Sequence, residues 1–283
     1  MATITPVRPS PIAGMWYEGN PKSLARVVDQ YLDQAELPEL RGEVVAVVAP
    51  HAGHRYSGPV AGYAFAAVRG QAFDLVAVIS PMHQPYYESL LTTAHEAYST
   101  PLGNVPVDKG AVADLNARLQ ERLGDGLTPV AHDQEHSLEI ELPFLQRALE
   151  GDFELLPVMV RAQSPKVSEQ LGLSLAETLA GKRALLVAST DLSHFYPQEE
   201  ANAFDDEMLR RMESFSPEDC FNAEREEKGY ACGLGALTAV LWAARALGAD
   251  TVKILRHATS GDVTGDYSSV VGYGAAVVLK QGL

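Results

Sequence analysis

Apolar positions along this chain fall into two rhythms, short unbroken runs and longer stretches spaced by three and four. Val44–Ala49 (VVAVVA) is a β-branched run closed by Pro50, and Leu75–Ser80 (LVAVIS) is a second, closed by Pro81. Both have the length and residue types of strands buried on two faces. Glu154–Val160 and Ala184–Ser189 read as further strands, and Val252–His257 and Ser268–Leu279 close the chain. Between them the spacing predicts helices over Gly58–Val68, Lys109–Leu123, Ser137–Leu149, Val167–Leu179, Glu199–Met212, Ser216–Glu226 and Leu234–Leu247. Pro143 predicts a kink or a restart inside the third of these. Ser137 is of the type that caps such a helix, and Glu141 stands near its first turn. Alternating strands and helices imply an α/β fold with a mostly parallel central sheet covered by helices on both faces. No repeat or Gly/Ser-rich linker divides residues 1–283, which read as one domain.

Composition narrows the function classes. A formal net charge of −15 disfavours nucleic acid and anionic membranes as partners, because affinity for phosphates is largely cationic attraction. No apolar run has the length of a membrane span. Met1–Pro11 lacks the basic-then-apolar order of a secretory signal, so the expected location is the cytoplasm. In that reducing setting the two cysteines, Cys220 and Cys232, are expected as free thiols.

Candidate chemistry sits where the strands end. In parallel α/β sheets, ligands bind beyond the carboxyl ends of the strands. The first strand runs into Pro50-His51-Ala52-Gly53-His54, the second into Pro81-Met82-His83, and the fourth into Thr190-Asp191-Leu192-Ser193-His194. Imidazoles converging on one crevice make a common first shell for a transition metal. His136, in Asp133-Gln134-Glu135-His136-Ser137, stands at a helix entry, and Glu135 beside it is either helix N-terminal charge or half of a carboxylate–imidazole pair. Asp191 can orient His194, ligate a metal, or bond backbone N–H groups of its own turn. Cys232, between Ala231 and Gly233 at a helix start, reads from its residues alone first as a small buried hydrophobe, and otherwise as a thiol whose pKa the helix start depresses, a ligand or a reactive group. His54 reads as a turn or rim residue, His95 as a surface position, and His132 and His257 as capped or exposed residues.

These segments together resemble the Memo family. The resemblance rests on Gly14-Met15-Trp16-Tyr17, Ala49-Pro50-His51-Ala52-Gly53-His54 with Tyr56-Ser57-Gly58, Ser80-Pro81-Met82-His83, Thr100-Pro101-Leu102-Gly103, Glu135-His136-Ser137-Leu138-Glu139 with Leu142-Pro143-Phe144, Ser189-Thr190-Asp191-Leu192-Ser193-His194, Ala231-Cys232-Gly233, Ser260-Gly261-Asp262 and Val271-Gly272-Tyr273. It spans nearly the whole chain. It implies a fold similar to the catalytic subunit of class III extradiol dioxygenases, and a three-part system with a radical-SAM protein as partner. By resemblance, His51, His83 and Cys232 are the metal ligands, and Asp191 and His194 line the same pocket, with His194 as acid/base. Glu135, His136, His54 and Tyr56 are assigned to the pocket. Ser80 stands where the family usually has glycine, and His54 where it often has an aromatic residue.

The function this implies is a metal-binding protein of Memo type, dioxygenase-like and oxidoreductive if catalytic, with a single transition metal. Fe(II) is the first expectation, Cu or Zn the others, since a thiolate is softer than the carboxylate of an ordinary Fe(II) triad. From residues alone Cys232, Asp191 and Glu135 all qualify as third ligand; the resemblance selects Cys232. The competing expectations are a non-catalytic adaptor that holds a metal or a peptide, and a zinc hydrolase. The expected ligand of the pocket is a small molecule or a peptide.

Overall fold

The computed structural model describes residues 4–282. In chain order the elements are β1 (Val7–Arg8), α1 (Pro21–Asp33), β2 (Glu43–Ala49), α2 (His54–Ala66), β3 (Leu75–Pro81), β4 (Leu90–Thr93), β5 (Ala97–Thr100), β6 (Gly103–Pro106), α3 (Lys109–Leu123) and β7 (Thr128–Val130). A 3₁₀ turn over Glu139–Glu141 leads into α4 (Leu142–Ala148), followed by β8 (Glu154–Val160), α5 (Pro165–Leu179), β9 (Ala184–Ser189), β10 (His194–Tyr196), α6 (Gln198–Glu213), α7 (Pro217–Arg225), α8 (Leu234–Ala246), β11 (Thr251–Thr259), α9 (Gly261–Thr264) and β12 (Val270–Lys280).

The large sheet runs β10-β12-β2-β9-β3-β8-β4-β7, with β11 also paired to β12. Its centre, β2-β9-β3-β8, is parallel. The flanks depart from the expected mostly parallel order. β12 is antiparallel to β2, β10 and β11, and β4 is antiparallel to β8. For β11 and β12 the reason is connection length: the link between them holds only the four-residue α9, too short for a full crossover, so the two pair antiparallel. A separate small sheet, β1-β5-β6, includes the amino-terminal strand.

The strand pleat sorts side chains onto two helix-covered faces. Val47, Ala49, Val76, Val78, Leu185 and Val187 face a core shared with α1, α2 and α4. Ala46, Val48, Ala77, Ile79, Leu186 and Ala188 face the core under α3, α5 and α8. Both faces are buried, which explains why these strands are continuous apolar runs rather than alternating ones. Among the described residues no helix is long and apolar enough to cross a membrane.

Helix boundaries follow local chemistry. Ser164 caps α5 and Asp108 caps α3 through their side-chain oxygens. Pro143 sits in the first turn of α4, where its missing N–H has no intrahelical partner anyway, so the chain restarts there after the 3₁₀ turn. Ser137 does not cap this helix as expected; its hydroxyl donates to the Pro81 carbonyl at 2.8 Å, tying the segment to the end of β3.

Candidate metal centre

β2, β9 and β3 are adjacent and parallel, so their carboxyl ends open onto one crevice. His51 follows β2, Asp191 follows β9 and His83 follows β3. The Asp133–Ser137 loop crosses the same end and brings His136. His51, His83 and His136 each offer a ring nitrogen, and these nitrogens all lie within 4.8 Å of one another. The ring centroids of His51 are 5.3 Å from His83 and 5.5 Å from His136, and His83 stacks on His136 at 4.9 Å. The cluster runs from buried His51 to exposed His83, so it opens to solvent on one side rather than lying wholly inside. Three imidazoles with free lone pairs are a donor set that fits one transition ion.

Each imidazole is held from behind. His51 Nδ1 is 2.9 Å from Ser189 Oγ. Glu135 accepts the His83 backbone N–H at 2.6 Å, meets its ring Nδ1 at 2.9 Å, and accepts the backbone N–H groups of His136 and Ser137. Burial opposes the charge on Glu135, but the His83 ring and these backbone donors outweigh it and hold the carboxyl below its ordinary range. The Trp16 ring covers His136, with centroids 4.1 Å apart. Burial, then His136 and His83, lower the pKa of His51 well below its ordinary value. Burial, partly offset by Glu135, brings His136 down to about 4. Both rings are therefore neutral at pH 7, the state that ligates metals.

Cys232 comes to the same place from the start of α8. Its Sγ lies 3.1 Å from His51 Nε2 and accepts the Asp191 backbone N–H at 3.3 Å. Donor atoms sharing a tetrahedral ion stand roughly 3.5 Å apart, given bonds of about 2.0–2.3 Å, so the thiol is near enough to His51 Nε2 to share an ion with it, although the donors that lie within 4.8 Å of one another are His51, His83 and His136 without it. Gly233 permits this approach, because a Cβ there would lie 2.5 Å from the Ser189 carbonyl oxygen. The expected depression of the thiol pKa is reversed. Burial, followed by the Asp191 carboxylate, pushes Cys232 up, and outweighs any benefit from the helix start.

Asp191 accepts backbone N–H groups from His51 at 2.7 Å and Ala52 at 3.3 Å, fixing the turn after β2. Burial nevertheless raises its carboxyl to about 7. The His194 ring nitrogen Nδ1 meets the Leu192 carbonyl at 2.9 Å, not Asp191. Burial lowers the His194 pKa, and His83 adds to that lowering. Phe195, next to it, is exposed and has the left-handed φ of 66°, a conformation uncommon for a non-glycine residue.

Other expected positions fall elsewhere. His54 is buried in the first turn of α2, with Nε2 against the Ile140 carbonyl at 3.0 Å and its ring packed on Phe144. It borders a cleft of about 410 Å³ with Trp16, Tyr17 and Tyr31 that contains none of His51, His83 or His136. Tyr56 is exposed on the next residues of α2. His95 is not a surface residue; it is fully buried, with Nδ1 against the Thr5 carbonyl at 2.6 Å. His257 is half-buried against the carboxylate of Asp205 at 2.8 Å.

Several groups that shape the site were not among the expected site residues. Arg8 donates to Asp133 at 2.6 Å, to Glu139 at 2.5 Å and to the Glu135 carbonyl at 2.7 Å, and so pins the loop that holds Glu135 and His136. Ser189 and Glu141 back His51.

The fold and this pocket define a class, an α/β protein whose parallel strands present imidazoles able to hold a metal ion at their carboxyl ends. The chain belongs to the Memo-like protein family, whose sequence model matches residues 8–277. It is 34% identical over 274 residues to a MEMO1 family protein of Methanococcoides burtonii, covering 96% of this chain and 100% of that one. It is 31% identical over 275 residues to a MEMO1 family protein of Nitrosopumilus maritimus, covering 95% of this chain and 98% of that one. Among solved structures, an uncharacterized protein from Escherichia coli K12 aligns over 90% of this chain and 92% of that one, with a TM-score of 0.40 and 12% identity, too distant to carry an argument.

Proposed function

We propose that this protein is a metal-dependent oxidoreductase with a pocket similar to that of class III extradiol dioxygenases. The observation that carries the reading is the meeting of three imidazoles, with a thiol beside His51, at the ends of β2 and β3 and in the loops facing them. His51, His83 and His136 would hold the ion, with the Cys232 thiol as a further, softer donor. A bound ion such as Fe(II) supplies Lewis acidity and redox chemistry toward a phenol and dioxygen.

The protein's own residues do the rest. Glu135 orients His83 and keeps its Nδ1 engaged, which leaves the other ring nitrogen for the pocket. Asp191 fixes the backbone that carries His51. His194, kept neutral by burial with Nδ1 at a carbonyl, has Nε2 free to take a proton from a bound phenol. The ligand enters on the exposed His83 side.

Elemental analysis of protein purified without oxygen or chelator, followed by oxygen uptake with catechols, tests the reading. Near-stoichiometric redox metal and catechol-dependent uptake are expected. His194→Ala should keep the metal and lose turnover by ~10²–10⁴-fold. Metal lost with His194→Ala would make it a ligand instead. A second reading, a zinc hydrolase, is favoured by the third imidazole, because three histidines with an open position are a recognised catalytic zinc set. Stoichiometric zinc with ester hydrolysis and no oxygen uptake would select it.

A further inference from the structure

Ser189 ends β9, and its side chain continues the sheet face of Leu185 and Val187, the face on which His51 follows Val47 and Ala49. Its hydroxyl oxygen has three close polar neighbours. The Ser137 carbonyl oxygen is at 2.6 Å, Glu141 Oε1 at 2.8 Å and His51 Nδ1 at 2.9 Å. A hydroxyl has one proton to give and two lone pairs to offer. The Ser137 carbonyl can only accept, so it takes the Ser189 proton. The remaining two neighbours must then donate, Glu141 through an O–H and His51 through Nδ1–H. If Ser189 donated to a Glu141 carboxylate, the Ser137 carbonyl would face a lone pair at 2.6 Å. If it donated to His51, the Ser137 carbonyl would again face a lone pair.

We propose that Glu141 is a neutral carboxylic acid donating to Ser189 Oγ, and that Glu141 and Ser189 together fix His51 as the Nδ1–H tautomer with its Nε2 lone pair facing the pocket. A second observation supports the neutral acid. Glu141 is 1% exposed, and its Oε2 has no hydrogen-bond partner among the described residues. A buried carboxylate with a bare oxygen is far more costly than a neutral acid with a bare carbonyl. Burial and the nearby Asp191 carboxylate also push Glu141 upward.

The consequence for ligand binding rests on the metal-centre reading above. His51 Nε2 is the nitrogen beside Cys232 Sγ, and only the Nδ1–H tautomer leaves it a lone pair for an ion. Glu141 touches neither that nitrogen nor a substrate; it is a positioning residue that acts through Ser189.

The proton assignments are read in metal-free protein, so they stand or fall separately from the metal centre. Infrared spectra at neutral pH should show the C=O stretch of a protonated carboxylic acid that disappears in Glu141→Gln. The comparison is made in an Asp191→Asn background, which removes the acid form of Asp191. Nitrogen-15 spectra, with the His51 signals identified by their loss in His51→Gln, should show the proton on Nδ1. Glu141→Gln replaces the O–H donor by an N–H donor and should keep that tautomer and Zn(II) binding. Glu141→Leu and Ser189→Ala should lower Zn(II) affinity about 10–100-fold, the range for lost outer-shell partners. No acid band in the Asp191→Asn protein, a band that survives the addition of Glu141→Gln, or a His51 proton on Nε2 overturns the proposal. If Glu141→Leu does not fold, the Asp191→Asn spectra with and without Glu141→Gln decide alone.

Discussion

Glu135 grips His83 at two points, accepting its backbone N–H with Oε2 and meeting its ring Nδ1 with Oε1. One carboxylate thus fixes both the chain and the ring orientation of a metal-capable histidine. Glu135→Gln should keep the fold but lower Zn(II) affinity about 10–100-fold, measured by calorimetric titration. Glu135→Ala should also lower stability in urea by about 1–3 kcal/mol, because buried backbone donors lose their acceptor. Unchanged affinity in both variants would remove Glu135 from the site.

The donor set can be sorted by softness. His136→Ala should lower both Zn(II) and Cu(I) affinity by at least about tenfold, and Cys232→Ser should lower Cu(I) affinity far more than Zn(II) affinity, because thiolate favours the softer ion. Competition titrations against chelators read both. Equal loss of Zn(II) in the two variants would make the thiol a full ligand. Greater loss with Asp191→Asn than with Cys232→Ser would place a carboxylate in the set.

His54 supplies a pH signature independent of any metal. Burial, partly offset by its bond to the Ile140 carbonyl, lowers its folded pKa to about 4, against 6.5 for the free side chain. The unfolded chain therefore binds the extra proton between pH 6.5 and about 4, and the His54 contribution is lost as pH falls through that window. The full effect is on the order of 3 kcal/mol. Urea melts across this range should show a flatter pH dependence for His54→Gln, which keeps a donor for Ile140. An unchanged slope would show that His54 does not carry the effect.

Arg8 is 2% exposed and is the cation between Asp133 and Glu139. Arg8→Met should destabilise by about 3–5 kcal/mol, since removing one partner leaves buried charge uncompensated. It should also loosen the Glu135–His136 loop, which nitrogen-15 relaxation or amide exchange at His136 would report. Loss of stability below about 1 kcal/mol would indicate that water replaces the guanidinium.

The four parallel strands were legible because burial on both faces writes them as unbroken apolar runs. His51 and His83 were legible because each directly follows such a run. His136 read as a pocket residue rather than a metal-capable one because its loop precedes a 3₁₀ turn, with no strand pattern to place it. Glu141 read as charge near a helix start, whereas it is buried behind Ser189. His95 read as exposed because Glu96 follows it, yet the chain around Thr5 folds over it. The ligand role of Cys232 came from the resemblance, with the helix start expected to favour thiolate, but desolvation is set by what packs around the sulfur, which local sequence does not encode. Arg8 had no local signal, because its partners are 125 and 131 positions away.

That separation has a consequence for the order of assembly. A ribosome adding about 5–20 residues per second exposes Arg8 on the order of ten seconds before Asp133 and Glu139 exist to receive it. Meanwhile β2 and β3 emerge without their shared neighbour β9, which is made later still. The crevice is thus a late product of biosynthesis, and a nascent chain stalled before β9 has His51 and His83 but no Ser189 hydroxyl behind the first of them.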